Sequence, residues 1–436
     1  MLPLKVAIIG LGTVGTGVAH ILLEASARCN LRAGREIEIC RVVVKEIDKP
    51  RDITLPAGLL TDDIQTVIDN PDIDVAIQLI GGLDPAEQVM SDLLTSGKDV
   101  VTANKALLCE RGERLFKLAK NQGRTISFEA AVAGGIPIVS TLGQSMTANE
   151  IISIEAILNG TSNFILTEML KRNSPYQDVL KEAQELGYAE ANPAMDVDGT
   201  DAVQKLVILT QLAFGVNVSP DAFPRQGIDT LELSDLRYAA QLGYTVKLLA
   251  VSRLSEGELE MHVQPTLVRH ERPIAQVEGA YNMIAIEGDA VGKTWYSGLG
   301  AGQMPTASAV VADLIDVATG RAAISFSHLS LWNEQSSILV QPAEDIERRY
   351  YLRFNVEDRP HVFADIANIL GNNQISLASI NQPEAPELAT TTEAPPAIAV
   401  VVMTHRTTEG QLRKATAELE YLSSLHPPLV CMPVAD

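Results

Sequence analysis

The chain has 436 residues, 46% of them hydrophobic and only 4% aromatic, which is length for two or three domains and a composition that suits an α/β enzyme. Its formal net charge of −21 is spread along the sequence and reads as solubility, arguing against nucleic acid and anionic membrane surfaces as partners. Four scattered cysteines without CxxC spacing exclude a thiolate zinc site and a disulfide framework and fit a reducing cytoplasm, and the lack of a long apolar run or a leader before Leu4 makes a membrane span and a signal peptide unexpected.

Leu4–Ile9 is an apolar run with the character of a buried strand, and Gly10-Leu11-Gly12-Thr13-Val14-Gly15 follows at once before a helical pattern through Val18, Ile21 and Leu22. Strand, glycine turn and helix start in this order form the dinucleotide-binding fingerprint. Gly10 allows the tight turn, Gly12 lets a pyrophosphate approach the backbone, Gly15 permits close packing, and the N–H groups of Thr13 and Val14 open the helix towards the phosphates. Further strands are expected at 37–44, 75–80, 99–102 and 125–128, with helices such as 86–96 and 110–121 between them. Such alternation predicts a doubly wound parallel sheet of Rossmann type, with ligand loops at its carboxyl ends. The loops at 10–15, 81–82 and 102–105 should share that rim.

After Gly134-Gly135-Ile136-Pro137 the character changes. A strand at 151–158, helices at 163–172 and 176–186, a helix from near Asp198 to Phe214, and strands at 246–254, 258–266 and 281–287 predict an α+β domain whose sheet supports a dimer. The apolar stretch 308–318 is suited to pack back on the first domain. Residues 331–349 have the composition of a connector. Beyond it, a βαββαβ order over 350–436 suggests a small ferredoxin-like module, and the Pro, Glu, Thr and Ala tract from Pro383 to Pro396 favours a flexible loop. The domain limits expected are 1–135 completed by 303–325, then 136–302, then 350–436.

The densest polar cluster runs from Gly187 to Lys205. Gly187 and Pro193 break its first half, and Asp198 is a plausible N-cap for the helix that follows. Asp201 and Lys205 are four residues apart and share a helix face. By spacing alone they read more readily as a solvated ion pair than as a proton donor beside its carboxylate.

The cluster resembles the substrate-binding signature of homoserine dehydrogenases. Thr102–Leu108, Gly134–Pro137, Leu158–Asn163 and Gly300–Ala307 match the same family in the same order, so the resemblance covers about residues 4–325. It implies reversible NAD(P)H-dependent reduction of L-aspartate 4-semialdehyde to L-homoserine, in threonine and methionine biosynthesis, by a homodimer or larger homo-oligomer. It also implies a catalytic acid/base at Lys205, substrate positioning by Asp201, and substrate binding by Glu190. Lys105 and Thr102 would lie by the nicotinamide, Lys105 with a share in proton transfer, and Gly302 would be a late cofactor contact. A monovalent cation, sodium, would be held by Glu129 and the carbonyls of Val132, Gly134 and Ile136; hard cations take oxygen ligands. The alternative for Glu129 is a carboxylate that caps backbone N–H groups.

Cofactor choice depends on the end of the second strand, where NAD binders carry an acid. Lys45, with Arg41 before it, favours the extra phosphate of NADP, while Glu46 keeps NAD open. The stretch 356–367 resembles an ACT domain, which implies an amino-acid effector such as threonine; most such domains have Gly where His361 stands, and a side chain there weighs against close approach of an effector. Asn192 stands where the substrate loop usually has Asp. A second class of function, a non-catalytic nucleotide-dependent amino-acid sensor, is opposed by the presence together of Glu190, Asp201 and Lys205. An acylating semialdehyde dehydrogenase would need a nucleophilic cysteine, and none stands in such a setting.

Overall fold

The computed structural model describes residues 2–328, 337–382 and 397–435. In chain order the elements begin β1 (Leu4–Ile9), α1 (Thr13–Glu24), α2 (Ser26–Ala33), β2 (Ile37–Val43), β3 (Leu60–Thr61), α3 (Gln65–Ile68), β4 (Val75–Gln78), α4 (Asp84–Thr95), β5 (Asp99–Thr102), α5 (Lys105–Gln122), β6 (Ile126–Ser127) and α6 (Ile138–Ser140). Next come β7 (Ile151–Ile157), α7 (Gly160–Arg172), α8 (Tyr176–Glu185), α9 (Ala194–Val197), α10 (Thr200–Phe214), α11 (Leu233–Gln241), β8 (Tyr244–Ser255), β9 (Glu258–Arg269), β10 (Tyr281–Gly288), β11 (Gly292–Leu299), α12 (Gln303–Thr319) and α13 (Arg321–His328). The last part holds β12 (Leu339–Val340), β13 (Glu347–Glu357), α14 (Val362–Asn372), β14 (Leu377–Asn381), β15 (Ala397–Thr404), β16 (Thr407–Thr408), α15 (Glu409–Leu419) and β17 (Leu425–Ala435). They form two compact units, one of Met1–Ser153, Val203–Pro220 and Tyr281–Ile338, the other of Ile154–Ala202, Asp221–Ala280 and Leu339–Asp436.

In the first unit the six strands β3-β2-β1-β4-β5-β6 form a parallel sheet. The chain winds outward from β1 in both directions, so the crevice beyond the carboxyl end of β1 is the topological switch point where such sheets bind ligands. The core is made by side chains such as Val6, Ile8, Val18, Val42 and Ile77, all fully buried. α12 completes it with Ala307, Val310, Val311 and Leu314, as the sequence led one to expect of the stretch 308–318. The two helices meet closely because Gly17 has no side chain: a β-carbon there would lie 2.9 Å from the Ala307 Cβ.

In the second unit the strand order is β7-β8-β9-β17-β13-β15-β14. The terminal module supplies β17-β13-β15-β14, an antiparallel βαββαβ sheet whose last strand lies beside its first. Within the expected connector 331–349, residues 331–336 lie outside the described residues, Leu339-Val340 pairs with β9, and β13 already begins at Glu347. The tract from Pro383 to Pro396 also lies outside the described residues. One buried ion pair ties β13 to the first turn of α11. Arg353, 1% exposed, donates through Nε to Asp235 Oδ1 at 2.5 Å and through Nη2 to Oδ2 at 3.1 Å, and Asp235 also accepts from the Tyr351 hydroxyl. Losing either partner would strand the other charge in the interior, at about 3–5 kcal/mol.

A second buried cation, Lys247 of β8, is 2% exposed and donates to Asn163 Oδ1 at 3.0 Å and to the Val277 carbonyl at 2.5 Å. Both partners are neutral, so burial dominates and lowers its pKa to about 8. In the unfolded chain the same amine holds its proton to about pH 10.4. Between these values the unfolded state binds more protons, so stability rises with pH. Wild type should therefore gain roughly 3 kcal/mol relative to Lys247→Met from below pH 8 to above pH 10. Urea melts of both proteins across this range would check it, and a difference independent of pH would contradict it.

Candidate active site

The turn after β1 has the geometry that its glycines imply. Gly10 lies at φ +99°, in the left-handed region, and its N–H donates to the Val43 carbonyl at 2.9 Å. A β-carbon on Gly15 would sit 2.1 Å from the Gly10 carbonyl oxygen, so only glycine lets α1 rest on the turn. Gly12 is the N-cap of α1, and a β-carbon there would meet nothing within 4 Å. No side chain caps α1 and no acid lies in its first turn, so the N–H groups of Thr13, Val14 and Gly15 head an uncapped, positive helix end. An exposed glycine backbone leading into such an end fits a dinucleotide pyrophosphate.

The neighbouring strand ends are tied together. Thr102, at the end of β5, donates to Gln78 Oε1 at the end of β4 at 2.8 Å, and its hydroxyl accepts the Asn104 N–H. Asn104 donates to the carbonyls of Ile80 and Gly82 at 3.0 and 2.9 Å and caps α5 by accepting the Leu107 N–H. The cap starts α5 at Lys105, five residues before the helix expected from Glu110. Lys105 is thus the first residue of that helix, half-buried on the rim. Gly302, at φ +118°, heads α12. Lys45 lies exposed two residues beyond β2, and Arg51 folds the following loop by donating to the carbonyls of Glu46, Ile47 and Lys49.

Glu129 follows β6 and is 6% exposed. Its two carboxylate oxygens accept the N–H groups of Val139 and Ser140, each at 2.8 Å, and its own N–H donates to Asp313 Oδ2 at 2.9 Å. Burial raises the pKa of both carboxyls. The loop with Val132, Gly134 and Ile136 is buried, and a β-carbon on Gly134 would lie 2.9 Å from Thr306 Oγ1. The capping role of Glu129 is therefore present, and its donor set is all oxygen, as a hard cation requires. Asp313 had no signal in the sequence, because it lies inside the apolar pattern of α12.

In the second unit the substrate loop is organised by Asn159. Its Oδ1 accepts the Ser162 N–H at 2.7 Å and caps α7, while its Nδ2 donates to Asp196 Oδ1 and Asp201 Oδ2, both at 2.9 Å. Ser162 adds a bond to the Asp196 carbonyl and Thr161 one to that of Tyr188. Asn159 and Asp196 lie in the segments quoted for the family resemblance, yet spacing gave neither a role. The break at Gly187–Pro193 was expected; the short α9 inside the supposed loop was not, and α10 starts at Thr200. Asp198 accepts the Thr200 N–H at 2.8 Å. Asp201 is 6% and Lys205 8% exposed, one turn apart on α10, so neither is a solvent-exposed surface residue. Glu190 is exposed, and its carbonyl accepts from Gln184. Cys109 offers no alternative chemistry, since burial raises its thiol to about 12.

Residues 10–129 match the family described as the NAD-binding domain of homoserine dehydrogenase, residues 137–315 the family described as homoserine dehydrogenase, and residues 350–423 the ACT domain. A homoserine dehydrogenase of Pseudomonas aeruginosa is 42% identical over 434 residues, covering 99% of this chain and 98% of its own length. One of Bacillus subtilis is 38% identical over 413 residues, covering 94% and 93%. The crystal structure of a homoserine dehydrogenase from Thiobacillus denitrificans superposes with a TM-score of 0.89 at 42% identity, covering 100% of this chain and 99% of that one. A hyperthermophilic archaeal homoserine dehydrogenase in complex with NADPH matches 75% of this chain and 100% of its own at 26% identity and a TM-score of 0.61. The chain belongs to the homoserine dehydrogenase family, NAD(P)-dependent oxidoreductases that act on a CH–OH group.

Proposed function

We propose that, in reducing L-aspartate 4-semialdehyde to L-homoserine, this chain uses Lys205 as the acid that protonates the aldehyde oxygen. The observation that carries this reading is a buried lysine one helical turn from Asp201, whose carboxylate accepts from Asn159. The nicotinamide cofactor supplies the hydride. Lys205 gives its proton as negative charge grows on oxygen and takes it back in the reverse direction, Asp201 holds the amine and substrate in register, and Glu190 meets the substrate ammonium. Lys105 supports the cofactor from the rim and shares in moving the proton. The exposed face around Tyr281, Trp295 and Leu299 supports a homodimer. Lys205→Ala should lower kcat by about 10²–10⁴-fold while NADPH binding, followed by fluorescence, stays near wild type. Turnover at the wild-type rate would exclude Lys205 as the acid.

NADP is the cofactor this reading favours, with Gly10, Gly12, Thr13, Val14 and Gly15 on the pyrophosphate and Lys45 on the ribose phosphate. Lys45 stands exposed just beyond the end of β2, a cation at the strand end where the extra phosphate would lie, with Glu46 next to it as the group that would serve NAD instead. In Lys45→Glu the KM for NADPH should rise about tenfold or more with little change for NADH. Equal effects on both cofactors would remove Lys45 from the phosphate site.

Sodium at Glu129, with the carbonyls of Val132, Gly134 and Ile136, is supported by the all-oxygen character of these groups around a buried carboxylate. Replacing sodium by a bulky organic cation at constant ionic strength should lower the thermal midpoint of wild type and leave that of Glu129→Gln unmoved. An identical response in both proteins would remove the cation from Glu129.

An amino-acid effector such as threonine belongs to this reading through the ACT domain. His361, however, keeps the left-handed backbone of a glycine, at φ +75°, and sets a side chain at the start of α14. That points to an effector site elsewhere.

A further inference from the structure

In the second unit β8 and β9 pair in antiparallel register, with Arg253 opposite Glu260 and Val251 opposite His262. Cross-strand partners share a face. A cavity of about 390 Å³ opens over this face, and Arg348, near the start of β13, lines its other side. Glu155 also lines it, but that carboxylate is already engaged by Arg253 at 2.8 Å and by Arg272.

Two of the inner side chains carry polar atoms that no described residue satisfies. The Arg348 side chain is 10% exposed; Nη1 donates to Gln264 Oε1 at 3.3 Å, while Nε and Nη2 have no hydrogen-bond partner. Glu260 Oε1 lies 3.6 Å from Nε and Glu409 Oε2 lies 3.9 Å from Nη2, both beyond hydrogen-bonding range. His262 is 3% exposed and its Nδ1 is also unpartnered, with Nε2 3.8 Å from Glu260. Burial, with Arg348 and Arg253 close by, keeps the ring neutral. Each buried polar atom left unsatisfied costs about 1–3 kcal/mol, more beside a charge, so a polar ligand that partnered these three would be stabilised there.

The chemistry of that ligand follows from the charges around it. Nε and Nη2 form one flat edge of the guanidinium, the edge that meets a carboxylate through two parallel hydrogen bonds. Glu260 stands beside the same edge and lines the cavity, so a ligand there meets a cation and a carboxylate side by side. A carboxylate that carries its own ammonium satisfies both signs. We propose that this cavity binds a free α-amino acid, its carboxylate on the Nε–Nη2 edge of Arg348 and its ammonium at Glu260. His361 does not line the cavity. The proposal rests on the reading above only for the expectation that occupancy regulates the enzyme; binding itself is independent of the reaction.

Calorimetric titration of the full-length chain with a panel of L-amino acids, from small polar to large apolar side chains, tests this without turnover. At least one should bind saturably, and its N-acetyl form and its amide should each bind about tenfold more weakly or worse. Arg348→Lys keeps the charge but loses the fork, and Glu260→Gln keeps the shape but loses the charge; each should weaken binding about tenfold. Circular dichroism establishes that both variants are folded, and if one is not, the other decides. The proposal is overturned if no amino acid binds, if acetate or phosphate binds as tightly, or if affinity is unchanged in the folded variants, which would assign the binding to the substrate site.

Discussion

One side-chain amide organises the loop that leads into α10. Asn159 caps α7 through its oxygen and gives both amide hydrogens to carboxylates, one on Asp196 and one on Asp201. Two carboxylates brought to one place repel unless donors lie between them. The amide supplies those donors without adding charge, so Asp201 remains an acceptor in the first turn of α10, where the helix dipole favours it. Lys205 follows one turn later, buried and at a fixed distance along the same rigid element. The placement of the Asp201 carboxylate therefore traces back to a neutral cap on a different helix.

The nucleotide half depends on backbone rather than on side-chain charge. Gly10, Gly12 and Gly15 serve three separate ends: a left-handed turn, an open approach, and contact between helix and turn. The rim beside them is held by uncharged bonds from Gln78 through Thr102 to Asn104. Neutral donors and acceptors fix these loops without drawing in counter-ions, which leaves the uncapped end of α1 as the positive feature for phosphates. Charge pairs are used elsewhere, as in the Arg353–Asp235 contact between β13 and α11.

Much of this was legible in the sequence. β1 and β5 fall on the expected residues because short buried strands print continuous apolar runs. α5 was expected late, since its true start depends on a cap by Asn104 that apolar periodicity does not register. β11 was not foreseen: its side chains are mostly exposed or half-buried, so no apolar alternation marks it, and pairing with β10 holds it in place. α11 escaped for another reason, because Asp235 in its first turn finds its partner 118 residues away. At the site, Asp201 and Lys205 could be named from family resemblance, while their spacing alone pointed to an ordinary ion pair. Their burial is a property of the fold that spacing does not carry. Glu129 shows the limit in the other direction, since its capping bonds depend on where Val139 and Ser140 come to lie.

On the proposed reading, α10 delivers an ammonium group to the oxygen of the reacting carbonyl. A crystal structure of the chain with oxidised nicotinamide cofactor and L-homoserine tests it most directly. Lys205 Nζ should lie about 3 Å from the homoserine hydroxyl, with Asn159 still bonded to Asp201. A hydroxyl held by a different acid, with the Lys205 amine turned away from the substrate, would contradict it.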